Sequence, residues 1–415
     1  MLAGGGLLRF LLLLLAQVLL VRQDAVDEHN HGGDEVEPRE ARVNILPWIG
    51  NRLVAPREAD DANREQDERN PEVGLLPPAH AGGIIPCVSV AWLAEPAPDR
   101  DVVISGRVRL ARNLLHYPFP HRASEAQLEA IAQRLREALG AAGLTQAIDL
   151  SALSLQERAR LVGARIISPA LLQAQAHRWA LLNADGSVVA ALNEEDHLRL
   201  QITCAGWQPD RLQRELIRWE RTLNAMPLVW ARAPKWGYLT ASPINLGSGL
   251  RLGLLLHLMG LQRARQITRW LEALQALGCH TRGLYGEGSL AFEGYVQISL
   301  LGRRDPLDEL LARLRGTLRT LIDAERTARE QIDRTALEEE WGELQATLRH
   351  AESLSLGTTL RALAVYRMRG MLDENAALRD AADQMLFEAA VYLPPEPEHA
   401  AAERASWLRH RLWGG

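Results

Sequence analysis

Arg107 and Arg109 alternate in "SGRVRLARN", so on a strand both side chains would point to one face. Arg199 closes "NEEDHLR", Arg251 follows "SPINLGSGL", and Arg282 opens the glycine-rich "RGLYGEG". A guanidinium is a planar fork that matches phosphate oxygens, so several converging on one pocket would make a polyphosphate site. Gly247 and Gly249 are expected to let backbone N–H groups approach an anion. The carboxylates pose a complementary problem. Glu194, Glu195 and Asp196 stand beside His197 inside "VVAALNEEDHLRLQI", whose ends read as buried strand. Three carboxylates cannot all be buried without partners. Glu287, in the second glycine-rich turn, is a candidate second carboxylate for the same pocket. Paired carboxylates beside an arginine-lined phosphate site suggest a cationic acceptor for a phosphoryl group. A salt bridge between Glu195 and a nearby arginine accounts for the charge equally well. Metal binding fits less well, because "EEDH" lacks the i, i+4 spacing of a helical zinc motif.

The elements that must position these residues are partly legible. Residues 101–113 begin like a strand. A helix follows in "SEAQLEAIAQRLREALG": Ser124 and Gln127 form a capping-box pattern, Leu128, Ile131, Leu135 and Leu139 make the apolar stripe, and Gly140 ends it. Further helices are predicted at 209–223, 261–278 and 306–330, with strand-like pieces at 178–192, 236–241 and 293–299. Strands and helices interleave without a repeated βαβ rhythm, which suggests an α+β fold. Beyond about residue 330 the pattern is helical to Leu412 and reads as a separate helical module.

Length and composition set outer bounds. A chain of 415 residues with 47% hydrophobic content can hold two folded units. A net charge of -5 argues against a nucleic-acid partner. Of the 47 basic residues only Lys235 is lysine, so an isolated arginine carries little information. Cys87, Cys204 and Cys279 are scattered without CxxC, which suggests neither a disulfide framework nor a zinc site. There is no GxxxxGK[ST], HRD, DFG or GxGxxG motif. Arg9 to Val21 is an apolar run of signal-peptide length rather than a membrane span, and no A-x-A site follows it. From Arg22 to about Pro86 the chain is acidic and punctuated by Pro and Gly. The expected organisation is an apolar leader and disordered acidic linker over 1–86, a catalytic domain over 87–325 and a C-terminal helical domain over 326–415. No stable membrane insertion is expected.

Together, "NEEDHLR", "SGRVRLARN", "YLTASPINLGSGLR" and "RGLYGEG" resemble the catalytic domain of the phosphagen (ATP:guanidino) kinase family. "RLARNLLHYPFP", "RIISPALL", "GLYGEG" and "YVQIS" resemble its bacterial protein-arginine-kinase (McsB) branch. The resemblance implies an antiparallel sheet flanked by helices, followed by an all-helical module. It implies an ATP- and Mg²⁺-dependent kinase acting on arginine side chains of proteins. The alternatives are a small-guanidino phosphagen kinase, or a degraded kinase serving as an adaptor or phosphoarginine-binding module. By resemblance, Arg107, Arg109, Arg199, Arg251 and Arg282 would hold ATP phosphates, with Gly106, Val108, Leu110, Arg165, Gly283 and Gly286 also at the nucleotide. Glu195 and Glu287 would clamp and deprotonate the acceptor guanidinium, while His197 would brace the loop. Ser242, Asn245 and Gly247 would form the substrate loop. No protein ligand set for a metal is implied, since Mg²⁺ would be held by nucleotide and water.

The same resemblance implies partners: proteins with exposed arginine, a McsA-like activator and a Clp unfoldase or protease, with homodimer formation left open. It also implies a stress-response role and a cytoplasmic location. Three positions depart from the family pattern. Ser242 replaces a cysteine, Arg165 a histidine, and Leu300 the asparagine after "QIS". In the tail, "AAAERA" (Ala400 to Ala405) keeps only Arg404 and Ala405 of the phosphoarginine-pocket motif.

Overall fold

The computed structural model describes residues 90–173, 175–284, 293–302, 305–392 and 396–414, all within one compact unit. The expectations for residues 1–86, Gly286 and Glu287 lie outside the described residues. In chain order the elements are β1 (Val103–Arg112), α1 (Glu125–Ala141), β2 (Gln146–Asp149), α2 (Leu155–Gly163), β3 (Trp179–Leu182), β4 (Val188–Leu192), β5 (Leu198–Ala205) and α3 (Pro209–Ala225). The short pair β6 (Arg232–Ala233) and β7 (Gly237–Tyr238) comes next, then β8 (Leu250–His257), α4 (Met259–Arg263), α5 (Ile267–Ala276), β9 (His280–Arg282), β10 (Tyr295–Gly302) and α6 (Leu307–Arg329). Four tail helices follow: α7 (Arg334–His350), α8 (Leu356–Leu372), α9 (Ala376–Glu388) and α10 (Glu398–Trp413). Eight strands form one antiparallel sheet in the order β2-β3-β4-β5-β1-β8-β10-β9, with helices on both faces.

Strand β1 is central, and its pairing decides what each face carries. Val108 lies opposite Ile202 and Leu252, and Leu110 opposite Leu200 and Leu250. These rows form one apolar face, sealed by α1, α3, α5 and α6 in a common core. One residue along the strand the rows are polar: Arg109 lies opposite Gln201 and Arg251, and Arg107 opposite Thr203 and Gly253. The period of two therefore gives the sheet a packed face and a charged face. α1 begins at the expected capping box, with Ser124 and Gln127 satisfying each other's backbone N–H groups. Its stripe Leu128, Ile131, Leu135 and Leu139 is buried against the apolar face.

Three sequence expectations change. The charged stretch 193–197 is the turn between β4 and β5 rather than mid-strand, and Asn193 adopts a left-handed φ of 56° there. The helix predicted over 261–278 is two helices, α4 and α5, separated at Arg265 with φ 56°. The Glu325 carboxylate of α6 accepts the Gly260 and Leu261 N–H groups at 2.9 Å each. That cap fixes the direction of α4 independently of α5. The helical tail also shares an apolar cluster with Ile104, Leu255 and Tyr295 of the sheet. The boundary drawn at residue 326 falls inside α6.

A buried ion pair fastens the tail to the sheet. Arg367 Nε of α8 donates to Asp383 Oδ1 of α9 at 2.7 Å, and both side chains are inaccessible to solvent. The same guanidinium donates to the carbonyl oxygens of Arg100 and Asp101, before β1, and to His257 Nδ1 at the end of β8. Removing one member of such a set leaves the other charge buried and uncompensated. Arg367→Ala is expected to destabilise the protein by about 3–5 kcal/mol in urea denaturation.

Candidate active site

On the charged face a cavity of about 310 Å³ is lined by Arg107 and Arg109 of β1, Arg199 of β5, Arg251 of β8, Arg282 of β9 and by Arg165. Antiparallel pairing does most of this gathering. Arg109 and Arg251 are direct cross-strand partners, Arg199 is opposite Ala111, and Arg282 is opposite Gln297. Each therefore projects from the same face as Arg107. The side chains of Arg107 and Arg109 make no hydrogen bond or ion pair with protein groups among the described residues. Burial, followed by repulsion from Arg165, Arg199 and Arg251, pushes the Arg107 guanidinium down to about 9. Arg109 is likewise held well below its usual value by burial and by Arg107, Arg199 and Arg251, with partial relief from Glu194. A fold that gathers several cations on one face, two of them without an ion pair among the described residues, suits a polyanion.

The remaining arginines are engaged but stay in the lining. Arg251 Nη2 donates to Ser299 Oγ at 2.8 Å. Arg199 pairs with Glu194 at 2.6 Å, and Glu194 also accepts from the Ser168 hydroxyl. The carboxylate that pairs with an arginine is thus Glu194, which leaves Glu195 for other work. Arg165 has a left-handed φ of 59°, and its carbonyl accepts from Gln201 Nε2 at 2.7 Å, which aims its side chain into the cavity.

Glu195 stands at the edge of the cavity, partly exposed. Burial, then Asp196, then Glu194, raises its carboxyl above the usual range, opposed by Arg199 and by a hydrogen bond with the Ser242 side chain. Asp196 arranges that contact. Its Oδ1 accepts from Asn113 Nδ2 and from Ala241 N–H, each at 2.7 Å, and so clamps the segment carrying Ser242 against the end of β1. His197 is structural in its bonding. Leu114 N–H donates to Nδ1 at 2.9 Å, which leaves the Nε2 proton to donate to the Pro118 carbonyl at 2.8 Å.

Burial pushes His197 down to about 4, so the ring is neutral at physiological pH. Its pH effect has a definite sign. Above about 6.5 both folded and unfolded chains hold it neutral; between about 6.5 and about 4 only the unfolded chain gains a proton, so stability is lost as pH falls through that window. His197→Ala is expected to remove that part of the pH dependence. It also costs about 1–3 kcal/mol for each buried group left unpaired. Urea titrations of both proteins from pH 7 to pH 4 test the two effects together.

Several predicted residues sit elsewhere. Gly106 and Val108 present their side-chain positions to the apolar core, because they alternate with the arginines, and Leu110 is a core side chain that also borders the cavity. A Cβ on Gly106 would meet Leu212, so this glycine serves packing against α3. Gly283 is buried between two lining residues, Arg282 and Leu284, and does not itself line the cavity. Asn245 lines the cavity. The Gly247 N–H is consumed by the Tyr238 carbonyl at 3.2 Å and is not offered to an anion. Gly249 has φ +66°, and a Cβ there would lie 2.6 Å from the Ala111 carbonyl oxygen, so it permits close approach to β1. Leu300 faces the core. Arg404 is buried and paired with Glu396 at 2.5 Å. Polar lining residues that were not anticipated include Gln201, Thr203, Gln297 and Ser299. Their signal was present, since each falls two or four residues from Arg199 or within "YVQIS" on the same alternation.

Comparison with known proteins agrees with this geometry. Residues 127–328 match the family model described as ATP:guanido phosphotransferase, C-terminal catalytic domain. The protein-arginine kinase of Shouchella clausii is 33% identical over 249 residues, which cover 58% of this chain and 69% of that protein. The protein-arginine kinase of Desulforamulus reducens is 35% identical over 292 residues, 67% of this chain and 80% of that protein. Among solved structures, the duplicated taurocyamine kinase of Schistosoma mansoni with bound transition-state-analogue components aligns with a TM-score of 0.49 at 22% identity. That alignment covers 56% of this chain and 34% of the other. Among the described residues, no helix is long and apolar enough to cross a membrane.

Proposed function

Because this chain belongs to the ATP:guanido phosphotransferase family, we propose that it transfers the γ-phosphoryl group of ATP to the guanidinium of arginine side chains in proteins. The observation that carries the reading is the convergence of Arg107, Arg109, Arg165, Arg199, Arg251 and Arg282 on one cavity with Glu195 at its edge. Phosphoryl transfer needs alignment and neutralisation of charge spread over phosphate oxygens, and fixed guanidinium groups supply both. Arg107 and Arg109, half-buried without protein partners, are the groups a triphosphate would satisfy.

An acceptor guanidinium has a pKa above about 12 and is a poor nucleophile until a proton leaves. Glu195, with its raised carboxyl and its hydroxyl neighbour Ser242, is placed to orient that group and accept the proton. Glu287 is the second carboxylate proposed for the same task. Mg²⁺ would enter with the nucleotide and offset phosphate charge. The protein's own share of that charge neutralisation would come from the arginines lining the cavity. ATP use favours a cytoplasmic reaction in this reading, with proteins bearing exposed arginine as its substrates.

Mass spectrometry tests the reading. After incubation with Mg-ATP and a generic protein, and without an acid quench because the phosphoramidate is acid-labile, phosphoarginine is expected on that protein and on the enzyme. Phosphorylation of free arginine with none on protein would favour a small-guanidino kinase instead.

A further inference from the structure

A second depression, of about 430 Å³, shares Glu194 and Glu195 with the arginine cavity and no other described residue. Its remaining wall includes Leu171, Gln173, Gln175 and Arg178. In-line transfer sets the attacking nitrogen opposite the leaving oxygen, so nucleotide and acceptor reach the reacting phosphorus from different directions. The arginine cavity serves the nucleotide. The second depression is then the approach that also ends on Glu195. Glu194 is occupied by Arg199 and Ser168, so Glu195 is the carboxylate this approach meets unpaired with arginine. An arginine whose guanidinium rests on Glu195 holds its own backbone one side-chain length back, among the residues of this wall.

Arg178 is the only cation among the described lining residues of that depression. It is half-buried, forms no ion pair with a described carboxylate, and its recorded hydrogen bond is a long one to the Ala176 carbonyl, 3.4 Å. Burial lowers its pKa with no carboxylate to offset the lost hydration. A guanidinium placed next to a site for another guanidinium repels it, which is a cost unless an anion arrives with the substrate. Resting on the reading of Glu195 as the acceptor carboxylate, we propose that this depression receives the polypeptide around the target arginine, and that Arg178 selects an acidic side chain one or two residues from it. Gln173 and Gln175 are exposed and supply amides suited to peptide backbone.

The test uses the full chain, Mg-ATP and three peptides, each with one arginine flanked by glutamate, glutamine or lysine. The quantity read is the ratio of kcat/KM between glutamate and glutamine peptides. A half-exposed ion pair predicts a ratio of about two- to fivefold in the wild type. It predicts a ratio near one in Arg178→Gln and a largely restored ratio in Arg178→Lys. The ratio is internal to each variant, so partial loss of folded protein does not mimic the effect. A wild-type ratio near one, or an unchanged ratio in Arg178→Gln, overturns the proposal while leaving transfer to peptides intact. No transfer to any peptide overturns the protein-arginine reading and this proposal with it.

Discussion

Glu195→Gln is expected to lower phosphoryl transfer by about 10²–10⁴-fold, the range for removing a positioned general base. Nucleotide affinity should change little, because in this reading Glu195 meets the acceptor while Arg107 and Arg109 hold the phosphates. The substitution keeps shape and hydrogen-bonding capacity, including the Ser242 contact, and removes only the charge and the proton-accepting oxygen. Near wild-type transfer in a folded Glu195→Gln protein would remove it from catalysis. The pH profile gives an independent reading. The Glu195 carboxyl titrates above the usual carboxylate range because of burial and its neighbours Asp196 and Glu194, so transfer should fall as pH drops through that raised pKa. Replacing Glu194 by Gln takes away one of the neighbouring negative charges and should move that acid limb to lower pH. Single-turnover rates over a pH series would show it.

Arg109→Met is expected to act with opposite signs on stability and on binding. Arg109 is held among Arg107, Arg199 and Arg251, with Glu194 offsetting part of their repulsion. Replacing a half-buried, repelled cation with an apolar side chain of similar length is expected to be neutral or stabilising. The same change removes charge-assisted bonds to phosphate, each worth about 1.5–3 kcal/mol, or roughly ten- to a hundredfold in affinity. Urea denaturation should therefore show unchanged or greater stability, while calorimetric titration shows weakened ATP binding. A variant that loses stability and keeps ATP affinity would make Arg109 a structural residue. The opposed signs matter because a damaged fold lowers both quantities together.

The amino-acid sequence by itself determined the alternation of Arg107 with Arg109, the capping box of Ser124 and Gln127, the α+β character and the family motifs. These are local signals: strand period, helix caps and short strings of residue types act within a few positions of one another. It did not determine that Arg109 would face Arg251 and Gln201, because that depends on antiparallel register between strands more than ninety residues apart. Register is also why Gly106, Val108 and Leu110, adjacent to the arginines in the chain, belong to the core. The choice of Glu194 over Glu195 as the partner of Arg199 is tertiary too. A turn with a left-handed Asn193 aims two consecutive carboxylates at different neighbours. Gly247 and Gly249 show the same limit, since a glycine that admits an anion and a glycine that admits another strand look alike in sequence. Only the fold separated them: the Gly247 N–H is spent on the Tyr238 carbonyl, while Gly249 packs closely on Ala111 and also lines the cavity.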